Sequence, residues 1–275
     1  MTSSSLASFA LVLMVAAPAA AQWPAQPDKT VPRTADGKVN FDAPPPRTAD
    51  GHIDFTGVFE NLWFYQGRIG RPPVSAPGEP PQTTFAEIGA GFKDGLPFRP
   101  WARELYQKRK ESHAKDNPDA YCLPMGLMQF HIHPQPRKIV QTRDVMIVLY
   151  EGNAGIRTIF LDGRPLPKIG DVKPWWYGYS TGHWEGETLV IESNNFRDNG
   201  WLDINGSPLT DQGTLTERWT RRTYGDLRID VTIDDPKAYT APFTVRLNQK
   251  LVPDEELIEF ICAENERSTA HMVGK

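Results

Sequence analysis

The sequence lacks the signals of several large function classes. It contains neither a GxGxxG motif nor a Walker loop, so nucleotide-dependent hydride or phosphoryl transfer has no support. It also lacks the GxSxG elbow of serine hydrolases and the HExxH motif of zinc proteases. The formal net charge is −4 over 275 residues, without a basic stripe. This charge pattern disfavours nucleic acid as a partner.

Cysteine is scarce, and the only two are Cys122 and Cys262. In an oxidising compartment this pair predicts a disulfide, with two buried free thiols as the alternative. The bridge would close a loop of about 140 residues, worth ~4–5 kcal/mol in the chain-entropy model, and would hold the last predicted strand against the turn at Cys122. Neither cysteine has a CxxC partner, and a bridged Cys122 could not serve as a nucleophile.

Long apolar runs are also missing, except near the start. In residues 1–21 an apolar stretch is followed by Ala19, Ala20 and Ala21. This layout predicts a signal peptide cleaved before Gln22, although Lys and Arg are absent ahead of the apolar stretch. The alternative, a membrane anchor, would need about 20 apolar residues. We therefore expect a periplasmic or secreted protein with no membrane span in the mature chain.

Residues 22–57 form a proline-rich N-terminal arm, and residues 58–275 are predicted to be a single β-barrel-like domain. The arm contains a short repeat, RTADGKVNF at 33–41 and RTADGHIDF at 47–55. Each copy has a turn-forming Asp-Gly followed by alternating apolar residues. We interpret the copies as two similar turns on the main body or as a partly mobile arm. One short helix is predicted over Pro100–Ser112, where proline precedes strong helix formers.

From residue 138 onward, short strand-like runs alternate with turn signals. The runs span 138–142, 145–150, 156–161, 175–181, 187–193, 214–222, 227–233, 243–251 and 256–262. Because the separators are short turns rather than helical crossovers, the pattern predicts an antiparallel meander. A meander this long closes into a barrel or splits into a sandwich. We expect a mainly β, lipocalin-like barrel with a ligand-sized interior.

Several motifs carry a family resemblance over residues 46–266. They are CLPMG, RKIVQT, LYEGN, IRTIFLDGR, GHWEGETLVIES, TIDDPKAYTAPF and ICAENE. In this order they resemble a large family of secreted, mostly uncharacterised bacterial proteins, and the resemblance implies no particular reaction. The chain departs from the family pattern at Leu166-Pro167, where His-Pro is common, and at Pro208-Leu209-Thr210, where a histidine often follows proline.

The clearest chemical signal is His131-Ile132-His133. On an extended segment both imidazoles would face one cavity, as an acid–base pair or a metal clamp. His183 could supply a third nitrogen to one divalent metal ion, and Glu185 or Glu217 a carboxylate. The alternative is a pair of polar residues ahead of a proline turn.

An aromatic cluster follows at residues 175–181. By strand alternation Trp175, Tyr177, Tyr179 and Thr181 share one face. Inside a barrel they would form a wall that binds flat, partly polar molecules. The alternative is plain core filling.

A third candidate is one face of the run at 214–222. Leu215, Glu217, Trp219 and Arg221 lie on it, so a carboxylate and a guanidinium flank a tryptophan. They predict a buried ion pair or a catalytic pair, and desolvation of Glu217 would raise its pKa. The alternative is a charged outer face. Further polar candidates are Arg157, Asp162 and Asp203.

These features predict a cofactor-independent lyase or isomerase that acts on a small hydrophobic or aromatic molecule. His131, His133, Glu217 and Tyr177 would be the catalytic residues. The residues predicted to bind the substrate are Trp175, Tyr179, Trp219, Arg221, Arg157 and His183. The alternatives are a non-catalytic lipocalin-like binding protein and a metal-dependent enzyme that uses the His131/His133 pair.

Overall fold

A computed structural model describes residues 30–62, 74–262 and 264. The predicted signal peptide (1–21) and the first part of the arm (22–29) lie outside these residues. The described chain is mainly β-sheet, and nine strands close into a barrel. This confirms the predicted fold class.

The barrel strands follow one another around the wall in the order β1-β11-β10-β9-β6-β5-β4-β3-β2, and β1 closes the ring by pairing with β2. A separate two-stranded sheet, β7–β8, lies between β6 and β9 in the chain. The strands are β1 Gly57–Asn61, β2 Arg137–Gln141, β3 Val145–Tyr150, β4 Gly155–Phe160, β5 Tyr179–Glu185, β6 Thr188–Asn194, β7 Gly200–Trp201, β8 Pro208–Leu209, β9 Thr214–Arg221, β10 Asp226–Asp234 and β11 Phe243–Leu251.

The meander is antiparallel at every junction of the barrel but one. β4 and β5 run parallel, with Ile159 opposite Ser180, because the long connection over 161–178 carries the chain back before β5 starts. The predicted strand at 256–262 is wrong, since these residues form no strand. β1 already occupies the free edges of both β2 and β11, so no edge is left for them.

Two α-helices accompany the barrel in the ranges that the structure describes. Helix α1, Pro100–Glu111, confirms the helix prediction, with proline at its start and basic residues in its last turn. Helix α2, Leu127–Ile132, was not predicted, and all six of its residues are buried. It leads directly into β2 and closes one end of the barrel, which we call the helix end. No helix in the described part of the chain is long and apolar enough to cross a membrane.

The arm packs on the opposite end of the barrel, which we call the arm end. Each repeat copy forms a turn closed by one β-bridge, Arg33 to Val39 and Arg47 to Ile53. His52 stacks on Trp184 of the β5–β6 hairpin at 4.4 Å between ring centroids, and Phe55 is fully buried against it. The first of the two interpretations, turns on the main body, is therefore correct for the described residues.

The core fills the barrel along its alternating inward positions. In β10, Leu227, Ile229, Val231 and Ile233 are all fully buried, as the period-2 pattern predicts. The disulfide prediction is also confirmed, since Cys122 and Cys262 are bridged and fasten the C-terminal segment beside α2.

Candidate functional site

Helix α2 places His131 inside the barrel. The sequence prediction of an extended HIH segment is wrong, because His131 lies in the last turn of α2 and His133 follows as its C-cap. A helix that is buried on all sides shows no apolar periodicity, so its six residues resemble a buried strand in the sequence. The side chain of His131 is fully buried and reaches across to strands β9, β4 and β3.

Glu217 of β9 is the centre of a fully buried network. Its Oε2 accepts hydrogen bonds from His131 Nε2 at 3.0 Å, Trp219 Nε1 at 2.9 Å and Arg157 Nη1 at 3.2 Å. Its Oε1 accepts from Arg157 Nη2 at 2.5 Å, which makes the ion pair with Arg157 bidentate. All four side chains are at most 1% exposed, so this ion pair is shielded from water.

Two serines hold the other side of Arg157. Ser180 of β5 and Ser193 of β6 accept from Arg157 Nη2 at 3.1 and 3.0 Å, and their hydroxyl oxygens lie 2.8 Å apart. The guanidinium is therefore fixed from both sides. It presents a rigid positive charge to Glu217.

The electrostatics of Glu217 differ from the sequence prediction. Burial alone would raise the pKa of its carboxyl, but the charge of Arg157 and the hydrogen bond from His131 outweigh burial and hold the pKa well below its usual range. The prediction of a raised pKa is therefore wrong, because the sequence did not show that Arg157 would face Glu217. Glu217 is ionised and does not act as a neutral acid.

Tyr150 extends the network toward the helix end. Its hydroxyl lies 3.4 Å from His131 Nδ1, and burial raises its pKa to about 12. Burial lowers the pKa of His131, so the imidazole is neutral. His131 Nε2 lies 3.0 Å from Glu217 Oε2, which can only accept, and 3.2 Å from Arg157 Nη1, which can only donate. Because Arg157 Nη1 also donates to Glu217 Oε2, we assign the proton of neutral His131 to Nε2, and Nδ1 then accepts from Tyr150. We call the chain Tyr150–His131–Glu217 the relay.

Tyr150 was missed by the sequence prediction, although a signal for it exists. It ends β3 in phase with Met146 and Val148, which are buried in the core. Arg137 was missed in the same way, in phase with Ile139 on β2. A polar residue at an apolar position of a strand indicates a residue that faces the barrel interior.

Tyr177 lies near the relay but is not part of it. Its ring contacts Phe130 at 5.2 Å between centroids, and Phe130 in turn stacks on Tyr150 at 4.7 Å. Burial raises the pKa of Tyr177, and the neighbouring Tyr150 raises it further. The ring of Phe130 therefore lies between Tyr177 and Tyr150 of the relay.

The other predicted histidines do not join His131. The ring of His133 packs edge-on against Phe85, and its Nδ1 accepts the backbone N–H of Gln135 at 3.3 Å. His183 is exposed on the outer face of β5, where it pairs with Glu185 at 3.5 Å. In the described ranges no three histidine, cysteine or acidic side chains come together as metal ligands. The three histidines of the alternative metal site, His131, His133 and His183, therefore do not come together in the structure.

The predicted aromatic wall is split between two faces. Gly178 adopts a φ of +70°, which interrupts the strand alternation between Tyr177 and Tyr179. Tyr179 consequently lies outside the barrel, where Trp175 contacts it at 5.4 Å and Arg164 donates to its hydroxyl at 3.3 Å. Neither Trp175 nor Tyr179 reaches the relay.

Arg221 is likewise separated from Glu217. It shares the inward face of β9, as predicted, but lies at the arm end and donates to the backbone carbonyls of Asp54, Thr56 and Tyr224. It lines a cavity of about 390 Å³ between the arm and the barrel. A second cavity, of about 590 Å³, lies beside residues 169–174. Neither cavity is lined by His131, Glu217 or Tyr177.

Two further polar candidates have structural roles. Asp162 pairs with Arg164 in an exposed turn. Asp203 is fully buried and accepts the backbone N–H groups of Ile88, Gly206 and Ser207. Both carboxylates therefore organise loops.

The protein is thus a closed, mainly antiparallel β-barrel with a buried network of His131, Glu217 and Arg157 in its interior. Comparisons with protein-family models, with curated proteins and with solved structures find no match to this chain.

Proposed function

We propose that this protein is a cofactor-independent enzyme of the lyase or isomerase type, acting on a small hydrophobic or aromatic molecule. The observation that carries the proposal is the relay itself. A phenol, a neutral imidazole and an ionised carboxylate are joined in series at 3.4 and 3.0 Å inside the barrel. Such a series can move one proton along its length without a cofactor.

The proposed step begins with Tyr150 protonated. As the Tyr150 oxygen takes a proton from a carbon of the bound molecule, its own proton passes to His131 Nδ1. The resulting imidazolium is stabilised by Glu217, which Arg157 keeps ionised. Return of the proton to a neighbouring carbon completes an isomerisation. In an elimination, the β-substituent leaves with its bonding electron pair and takes a proton from the Tyr150 hydroxyl, while His131 Nδ1 returns its proton to the Tyr150 oxygen.

Deuterium exchange tests this step without knowledge of the product. The protein is incubated in D₂O with a panel of small aromatic and alicyclic carbonyl and hydroxy compounds, and deuterium incorporation at carbon is followed by NMR. We expect exchange in at least one compound, reduced by about 100-fold or more in Tyr150→Phe, which removes only the hydroxyl.

The matched control is Tyr239→Phe. Tyr239 is another buried tyrosine, and its hydroxyl donates to Pro208 O outside the relay. Exchange should be unchanged in this variant. Equal exchange in wild type and Tyr150→Phe would contradict the relay.

One observation favours a second candidate function, a lipocalin-like binding protein without turnover. Both oxygens of Glu217 are saturated by hydrogen bonds from the protein itself, as in a purely structural ion pair. In that case Glu217→Gln would leave ligand binding nearly intact, and no panel compound would exchange.

We also propose that the protein is exported to the periplasm or secreted, and that it belongs to the family of secreted bacterial proteins it resembles. The disulfide Cys122–Cys262 supports an oxidising compartment. Mass spectrometry of the protein recovered from its native compartment tests export, since we expect a mature N-terminus at Gln22.

A further inference from the structure

Three buried polar side chains on neighbouring strands of the barrel carry hydrogen-bonding atoms without partners. Asn61 of β1, Arg137 of β2 and Gln249 of β11 are at most 1% exposed. In the part of the chain that the structure describes, Asn61 Oδ1, Arg137 Nε and both amide atoms of Gln249 lack any hydrogen bond. Buried polar atoms are nearly always paired, so four unpaired atoms in one region indicate a missing partner.

Asn61 is a neighbour of both other side chains. Asn61 and Gln249 stand opposite each other in the β1–β11 pair. Asn61 Nδ2 and Arg137 Nη2 both donate to the carbonyl oxygen of His133, at 2.5 and 3.1 Å, so these nitrogens are less than about 6 Å apart. We call these three residues the polar patch.

The polar patch carries an uncompensated positive charge. Arg137 also donates to the carbonyl of His131 at 2.7 Å, but no carboxylate of the described residues lies within ion-pair distance of it. Glu60, which acts on Arg137 only through space, points to the outer face of β1. Two buried carboxylates of this region have other partners: Glu217 is paired with Arg157, and Glu151 accepts from Gln135 Nε2 at 3.4 Å and from the backbone N–H of Ile258 at 3.1 Å.

The polar patch adjoins the relay. Arg137 stands directly opposite Tyr150 in the β2–β3 pair, and opposed residues of antiparallel strands have Cα atoms about 4.5–5.5 Å apart. Both side chains also reach His131, since Arg137 donates to its backbone carbonyl at 2.7 Å and the Tyr150 hydroxyl lies 3.4 Å from its Nδ1. A molecule held at Arg137 is therefore on the same inward face as Tyr150.

We propose that the polar patch binds the carboxylate group of the substrate. This inference rests on the proposed function and names its substrate class as small carboxylic acids. Arg137 Nε and Gln249 Nε2 donate to the carboxylate, whose negative charge compensates Arg137. Asn61 Oδ1 and Gln249 Oε1 accept from a hydroxyl or amino group on the same molecule. The substrate is then a hydroxy or amino carboxylic acid with a hydrophobic or aromatic body.

Matched probes test the carboxylate independently of any turnover. Benzoate, phenylacetate and cyclohexanecarboxylate are compared with benzyl alcohol, 2-phenylethanol and cyclohexylmethanol by ligand-observed NMR and calorimetry. We expect each acid to bind at least tenfold more tightly than its alcohol. Tyr150→Phe should keep this preference while it abolishes exchange, so a failed relay and a failed polar patch give different results.

The decisive variant is Gln249→Glu, which changes no side-chain volume and supplies the missing anion to Arg137. We expect it to remove the preference for acids and to raise Tm by about 2–4 °C. Gln107→Glu makes the same charge change at an exposed position of α1 and should alter neither property.

Three outcomes would overturn the inference. The first is equal binding of acids and alcohols, and the second is an unchanged preference in Gln249→Glu. The third is binding of none of the acids, which would leave only water as the partner of the polar patch.

Discussion

At the scale of single residues, His133, which lies next to the relay in the sequence, makes the stability of the fold depend on pH. Burial and the positive charge of Arg137 together lower its pKa to about 4. The unfolded chain has a histidine pKa of about 6.5 and therefore binds the proton first as the pH falls. The stability that neutral His133 contributes is thus complete above about pH 6.5 and is lost as the pH falls towards 4.

His133→Asn tests this dependence. In wild type, His133 Nδ1 accepts the backbone N–H of Gln135 at 3.3 Å. The asparagine Oδ1 of the variant can accept the same N–H, but the asparagine side chain cannot take up a proton. Between pH 7 and pH 4 we expect wild type to lose on the order of 2–3 kcal/mol more unfolding free energy than the variant. Urea unfolding at several pH values measures the difference. His183→Asn, at an exposed site, should follow the wild-type curve, and an equal slope in His133→Asn would contradict the assignment.

For single residues, the sequence predicted correctly which side chains point into the barrel wherever strand alternation determines the direction of the side chain. Glu217 and Trp219 share the inward face of β9, as expected, and meet in one hydrogen bond. The partners of Glu217 come from β4 and α2, which are far away in the sequence. Because the pKa of Glu217 depends on those partners, the sequence alone gave the wrong direction of its shift.

At the scale of secondary-structure elements, α2 must pack closely against β4. A Cβ on Gly155 would lie 2.7 Å from the ring of Phe130, which neighbours His131 in the helix. Gly155→Ala is therefore expected to push α2 outward and to destabilise the protein by about 1–3 kcal/mol through overpacking. Chemical denaturation measures the loss.

A second substitution shows whether the loss comes from this contact. Phe130→Leu makes room for the new methyl group, so Gly155→Ala should cost less in a Phe130→Leu background than in wild type. Ile156→Ala, at the adjacent exposed position of β4, should change stability by less than about 0.5 kcal/mol. Additive effects of the two core substitutions would rule out the contact as the cause.

The regular elements were predictable because their local signals are strong. β3 and β11 match their predicted bounds, and α1 ends within one residue of its prediction. The missed elements lack such signals. Helix α2 is buried on all sides, while β1 is only five residues long and lies within a region without repeated alternation. The parallel β4–β5 pair depends on the path of a long connection, which strand patterns do not encode.

At the scale of the whole molecule, the disulfide joins the segment before α2 to the segment that follows the last strand. Cys122 lies just before α2, and Cys262 ends the segment that follows β11, at a sequence separation of 140 residues. The C-terminal segment between β11 and Cys262 is also held to the barrel by two contacts. Glu256 forms an ion pair with Lys138, and the backbone N–H of Ile258 donates to Glu151 at 3.1 Å. The bridge therefore constrains nearly the entire barrel in the unfolded chain.

Replacing both cysteines by serine should lower the free energy of unfolding by about 4 kcal/mol, because the unfolded chain regains the entropy of a long closed loop. Urea unfolding with and without reductant measures this loss. Reductant should bring wild type to the stability of the double variant and leave the variant itself unchanged. If reductant does not alter wild type, the bridge contributes little and the ion pair and hydrogen bond of the C-terminal segment suffice to hold it. A loss of the expected size would instead mean that the relay reaches full stability only in an oxidising compartment, in agreement with the proposed export.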